Sequence, residues 1–325
     1  MIEILAGGIS TTVQDTGRHG HYHIGMPPSG AMDPYAHAVA NFLVGNDEGA
    51  ATLEMTYQGA DIRFTEPGVI ALAGATMDGE LDGESVPMWE AIAVDAGQEL
   101  SLEFAVDGTR TYLAVAGGID TEPVMESRST YTLVGIGGHE GRTLEAGDEL
   151  AVGEATHDRG ALVGRAVDDD HVPSYDEDTV RVVLGLCDYR LTDESREELC
   201  SAEWTVAADA DRVGYRLEGP DMEFESREQP FGAGPDPSNV VDLGYPVGSI
   251  QVPQQPIVLM QDAVTGGGYA TVGTVISADR GLLAQRRTHQ SVFFESVDVD
   301  EALDARAERR EALDKVATSL SVDVD

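Results

Sequence analysis

Residues 99–106 read ELSLEFAV and residues 110–116 read RTYLAVA. The first alternates apolar and polar positions, and the second is almost unbroken in apolar side chains. Between them stands Asp107-Gly108, a turn pair that tolerates positive φ, so the two runs predict an antiparallel hairpin. The same rhythm predicts strands near 52–57, 60–65, 69–74, 180–184, 213–218, 256–260 and 290–297, with a first strand in MIEIL. Asp-Gly pairs at 78–79 and 82–83 predict two more tight turns. A 3.6-residue period is rare. It is clearest over 34–44, where Tyr35, Ala38, Val39, Phe42 and Leu43 form one apolar stripe, Asp33 is placed to cap, Pro34 opens the first turn and Gly45 follows the end. A short helix is predicted over 193–200 after Thr192. Another, over 301–318, is so charged that it is expected to lie on the surface or to fray.

Many short strands, with 37 Gly and 14 Pro, point to sandwiches or barrels and away from βαβ units. The expected fold class is mainly β with a few short helices. The polar, acidic stretch 154–178 divides the chain into a β domain over 1–155, a second over 179–296 and an acidic helical tail over 297–325. A length of 325 residues agrees with two domains at about 150 residues each.

Charge narrows the picture. There are 59 acidic residues against 20 basic ones, a net charge of -39, and Lys315 is the only lysine. Such a chain repels nucleic acid and anionic membranes. In molar salt the screening length shrinks to about 3 Å, so dispersed acids of this density fit a cytoplasm of the haloarchaeal type. No run reaches the roughly 18 apolar residues of a membrane helix, and the start lacks a basic and apolar leader, so a cytoplasmic location is expected. Cys187 and Cys200 are too few for a disulfide framework. Without a lysine before 315, a Schiff-base lysine or a Walker-type phosphate lysine is excluded over nearly the whole chain.

Three segments are richer in glycine and polar residues than strands require: 11–46, 127–148 and 248–273. In the first, GRHGHYHIG places His19, His21 and His23 at alternate positions, which on an extended strand would share one face. Just before them, Asp15 and Arg18 read either as an ion pair that fixes the loop or as a proton acceptor beside a bidentate grip. Ser29 and Asp33 lead into the predicted helix, whose exposed amides suit an anion as well as a cap. In the second segment Arg128 stands between Ser127 and Ser129, and GIGGHEGR resembles a phosphate loop without its Lys-Ser/Thr ending. In the third, Gln251 lies on a predicted strand, while Asp262, Thr265 and Tyr269 surround Gly266–Gly268. Three glycines let a backbone approach a flat ligand closely.

The motifs TVQDTGR, GMPPSGAMD, ANFLVGN, SRSTY, GGHEGRTLEAGDEL, VGYRLEGP, GSIQVP and TGGGYATVGTV, in this order, resemble the KipA family, the C subunits of 5-oxoprolinase, over roughly residues 1–296. The same module serves as allophanate hydrolase subunit 2 and as half of the carboxyltransferase domain of urea carboxylase. The resemblance implies two cyclophilin-like β-barrel domains. It implies an ATP-dependent lactam hydrolase that converts 5-oxo-L-proline to L-glutamate together with two partners, one KipI-like and one LamB/YcsF-like. The alternatives are a carboxyltransferase component of a biotin-dependent urea or amide carboxylase, with biotin on a separate carrier, and a binding module that antagonises a KipI-like inhibitor. All three histidines fall on variable positions of the family framework, so no metal is expected. Two departures stand out: Glu126 replaces a glycine before Ser127, and Val264 replaces a threonine before Thr265. Substrates of the family share a planar N–C(=O) unit, which needs donors for its oxygen and acceptors for its N–H. Asp15 and Asp262 are the expected catalytic groups. Arg18, Ser29, Asp33, Arg128, Gln251, Thr265 and Tyr269 are expected to bind the substrate, and ATP is expected at the level of the complex.

Overall fold

The computed structural model describes residues 1–321, and they divide into two compact units. The first comprises 1–18, 29–176 and 310–321, and the second comprises 19–28 and 177–309.

In the first unit, strands form two sheets. One runs Glu149–Leu150, Ile2–Ala6, Asp61–Phe64, Glu99–Ala105, Met77–Leu81, Glu84–Ser85. The other runs Ser10–Gln14, Thr52–Thr56, Arg110–Val115, Gly68–Gly74, Ala91–Val94. Ile4, Ile62, Phe64 and Leu100 of the first sheet pack with Val13, Leu53, Met55 and Leu113 of the second in one core. The opposite face of the second sheet is also covered: Ala71, Ala73 and Tyr112 bury against Ala36, Val39 and Leu43 of the helix Pro34–Leu43. A strand buried on both faces has no polar positions to alternate, which is why RTYLAV is nearly all apolar whereas ELSLEFA alternates. Asp33 caps the helix, accepting from the Tyr35 and Ala36 amides at 3.2 and 3.3 Å.

The second unit holds a closed seven-stranded barrel: Thr179–Leu184, Thr271–Val275, Ser249–Gln251, Ile257–Leu259, Gly214–Glu218, Trp204–Val206, Ser291–Ser296. A two-stranded ribbon, Asn239–Gly244 with Gly266–Tyr269, accompanies it. The helices Asp193–Ser201 and Arg280–Gln285 complete the unit with part of Val299–Ser319.

Mainly β structure with few helices is what the pattern predicted, but three local expectations need correction. Asp78-Gly79 is not a turn. It lies inside the strand Met77–Leu81, and a Cβ at Gly79 would stand 2.4 Å from a Leu102 methyl, so the glycine serves close packing across the sheet. The stretch 154–178, read as the boundary between the two β-rich parts, stays with the first unit up to 176. Ala91 N–H donates to Arg165 O at 2.8 Å and Val167 N–H to Trp89 O at 3.0 Å, which dock it on the first unit. Nor does the tail form a separate body. Leu313, Val316 and Leu320 join the core under the helix Pro34–Leu43, because its thin seam repeats every three to four residues.

Candidate functional site

The loop after the strand Ser10–Gln14 is organised by Asp15. Its carboxylate accepts from Gly17 N–H at 2.8 Å, Ser127 Oγ at 2.7 Å, Arg128 N–H at 2.6 Å and Ser129 Oγ. Burial raises the carboxyl pKa, but these four donors outweigh it, and the net result is a lowered pKa. Arg18, almost fully buried, donates to Ser129 O and so ties the same two loops together. Asp15 and Arg18 thus clamp residues 127–129 instead of pairing only with each other.

Residues 29–33 lie against this clamp. Ala31 N–H donates to Asp15 O at 2.9 Å, and a Cβ at Gly30 would come within 2.9 Å of Gly17 N. Ser29 adopts φ 54° and Gly30 φ 88°. A left-handed serine is strained, and its buried Oγ has no hydrogen-bond partner. Beneath the segment, Glu54 accepts from Met32 N–H at 2.9 Å and from Tyr112 Oη at 2.7 Å, while Asp33 N–H donates to Tyr112 Oη at 2.8 Å. Burial pushes the Tyr112 phenol well up, reinforced by the Glu54 and Asp33 charges, so it donates as a neutral hydroxyl. Burial pushes the neighbouring His37 imidazole down, despite Asp15 and Glu54 nearby.

Arg128 is reached through its backbone. Its guanidinium turns to Asp120, at 2.9 Å, on the surface. Glu126 takes φ 65°, so the glycine that the family pattern carries there would sit in a conformation glycine prefers, and the loop keeps its shape at a cost in strain. The glycine-rich stretch 135–141 packs on the same loops. A Cβ at Gly137 would lie 2.1 Å from Ser129 O and 2.7 Å from Arg18 Nη2, and one at Gly138 would lie 1.9 Å from Thr130 Oγ1. These glycines permit backbone contact and leave no cradle for a phosphate.

The residues of the third segment lie in the second unit. Tyr245 joins three of them. Its hydroxyl accepts from Tyr269 N–H at 2.6 Å and donates to Tyr269 O at 3.0 Å, and its N–H donates to Thr265 O at 2.8 Å. The Gln251 amide stands near the same hydroxyl, lowering its pKa against a larger rise from burial. The Gly266–Gly268 run is a strand, not a wide turn, and Gly267 passes 3.1 Å from the Tyr245 ring as measured from its would-be Cβ. Asp262 stands apart from this group, held by Arg212 through Nε at 2.8 Å and Nη2 at 3.2 Å.

Residues 19–28 also belong to the second unit. His21 precedes a 3₁₀ turn over Tyr22–Ile24, so the three histidines do not share a strand face. Among the described residues no group of three or more His, Cys, Asp or Glu is placed to hold a metal ion. Tyr22 accepts from the Val247 amide, with its phenol raised by burial and lowered again by that bond and by Arg280.

Sequence reasoning missed Glu54 and Tyr112 as supports of 29–33, Arg212 as the partner of Asp262, and Tyr245. Glu54 and Tyr112 are single polar residues within apolar strands, Arg212 follows two acids in a loop, and none of the four carries a local spacing signal. Ser127 and Ser129 were visible as flanks of Arg128, yet it is their hydroxyls that hold Asp15 while its guanidinium turns to Asp120.

These features define a β-rich protein with two clusters of hydrogen-bonded polar groups, one buried around Asp15 and Glu54 and one around Tyr245 that includes the exposed Tyr269. The profile of the carboxyltransferase domain, subdomain A and B, matches residues 24–296. The chain is 36% identical to the 5-oxoprolinase C subunit of Escherichia coli, over 98% of this chain and 99% of that protein. It is 35% identical to a putative urea carboxylase of Emericella nidulans over 94% of this chain, but spans only 25% of that protein. The crystal structure of the K. lactis urea amidolyase superposes with a TM-score of 0.91 at 28% identity, covering 100% of this chain and 20% of the other. The chain belongs to the carboxyltransferase subdomain A and B family.

Proposed function

We propose that this chain acts as the C subunit of a 5-oxoprolinase, working with partners of the KipI-like and LamB/YcsF-like types to open 5-oxo-L-proline to L-glutamate. The observation that carries the reading is end-to-end similarity to the Escherichia coli protein, whose length this chain spans almost completely. The site agrees with a planar amide substrate: neutral donors and acceptors are plentiful, and the two expected catalytic carboxylates are both engaged. In this reading Asp15, with a lowered pKa and four donors, holds the loops that present Ser29 and the 127–129 backbone and does not itself accept the proton. Asp262 orients the stretch ahead of Thr265 through Arg212. Gln251, Thr265 and Tyr269, gathered by Tyr245, offer hydrogen bonds to the amide.

The reaction class implies ATP. The residues here do not fit a triphosphate site: the one phosphate-loop-like stretch is filled by its own backbone contacts, and no lysine precedes position 315. ATP therefore belongs to the complex, and no step is assigned to it on this chain.

The urea carboxylase relatives support a second reading, a carboxyltransferase component receiving a carboxyl group from biotin on a separate carrier. Co-expression with the adjacent genes separates the two. Glutamate release from 5-oxoproline, dependent on ATP and on this chain, is expected. Biotin-dependent carboxylation of urea without glutamate release would replace the first reading by the second.

A further inference from the structure

Several strand ends of the first unit meet: Ile2–Ala6 and Gly68–Gly74 begin where Asp61–Phe64, Ala91–Val94 and Arg110–Val115 finish. Among these ends lies a cavity of about 230 Å³, walled by Ile2, Phe64, Val69, Val94, Val115 and Leu162. Each of these side chains is buried. Close-packed interiors hold few voids larger than a water molecule, and an unfilled one costs stability. An apolar cavity of about 150 Å³ takes up benzene, so this one has room for a body of about nine heavy atoms.

The wall is completed by the stretch 152–162, which ends in the short helix Arg159–Leu162. Gly153 N–H donates to Gly118 O at 2.9 Å, and Thr156 Oγ1 donates to Gly45 O at 3.2 Å, so the stretch is docked at two points. A Cβ at Gly45 would stand 2.7 Å from His157 Cδ2, so the glycine that follows the helix Pro34–Leu43 makes room for the imidazole. Among the described residues no group hydrogen-bonds the ring nitrogens of His157, which lines the cavity with Arg159. Arg159 gives only Nη1 to Asp95, at 2.7 Å, and keeps its other N–H groups. Glu66 is the acid on the wall, and its side chain is 74% exposed, so water and salt screen it.

We propose that the cavity binds a small monocarboxylic acid with a compact apolar body of about the size of benzoate. The carboxylate takes N–H donors from Arg159 and His157, and the body fills the space beside Phe64, Val94 and Val115. None of these residues enters the oxoprolinase reading, so the site stands or falls without it.

The test is calorimetric titration of the full-length chain in molar KCl with benzoate, benzyl alcohol and benzylamine. The three share one apolar body and differ in the charge of the head. Benzoate should bind tightest and benzylamine least. Arg159→Gln should weaken benzoate roughly tenfold and leave benzyl alcohol unchanged, because a charge-assisted hydrogen bond is lost. Arg159 is 39% exposed, so this variant should melt with wild type. Ala116 also lines the cavity, and Ala116→Leu should abolish binding of both probes while melting no lower than wild type, as a cavity-filling change does. Failure of wild type to bind benzoate overturns the proposal. So does benzylamine binding as tightly as benzoate, or benzoate affinity that survives Arg159→Gln. A folded Ala116→Leu that still binds benzoate places the ligand elsewhere and overturns the site. Should that variant not fold, Arg159→Gln decides alone.

Discussion

Replacing Asp15 by Asn tests whether this carboxylate is the structural hub of the first unit. Three donors converge on Oδ1, from Gly17 N–H, Ser127 Oγ and Ser129 Oγ, and Arg128 N–H donates to Oδ2. Asn oriented to keep its oxygen toward the three donors must aim its NH₂ at the Arg128 amide, leaving a buried N–H unsatisfied at about 1–3 kcal/mol. The remaining three bonds lose their charge assistance, roughly 1 kcal/mol each. Allowing for relaxation, the loss is about 4 kcal/mol, a large part of a typical total of about 5–15 kcal/mol. At about 2–4 °C per kcal/mol for a body of this size, the melting temperature should fall by roughly 10 °C. Near-UV circular dichroism in molar KCl reads it directly. The pH dependence adds a second check. Asp15 has a folded pKa below its unfolded value, so its stabilisation is present above the ordinary carboxylate range near 4 and is lost as pH falls through the folded value. Asn does not titrate there, so the gap between wild type and variant should narrow on acidification below about pH 4. Equal melting temperatures at neutral pH, or a gap that stays constant into acid, would refute the hub.

Glu54→Gln should cost about 3 kcal/mol, because the buried carboxylate holds Met32 N–H and Tyr112 Oη and lies 3.8 Å from the Arg110 guanidinium; urea titration in molar KCl would show a lower midpoint with an unchanged slope. His37→Gln should flatten the loss of stability between about pH 7 and pH 5. The folded imidazole has a lowered pKa, so the unfolded chain binds the extra proton and acid destabilises wild type; parallel slopes for both proteins would contradict this. With a net charge of -39, the melting temperature should climb from dilute buffer to molar KCl as self-repulsion is screened. A salt-independent melting temperature would remove the halophilic reading.

The sequence by itself determined the elements whose causes are local. Alternation in ELSLEFA and the capped stripe from Asp33 to Leu43 placed a strand and a helix to within a residue or two, since both patterns are complete within one element. Ordered motifs across most of the chain likewise carried the family resemblance. Tertiary structure decided what the polar residues do. Three of the four donors on Asp15 come from residues 112 to 114 positions away, so no window of sequence could tell a clamp from a proton acceptor. Gly79 reads as a turn until Leu102 is set against it, and residues 19–28 read as part of the first domain although they fold with the second. Tyr245 gains its meaning only from the pairing of the two-stranded ribbon, which sets it against the backbone of Thr265 and Tyr269. Periodicity records which side of an element is buried; the partner of a buried polar atom is chosen by how distant segments are brought together.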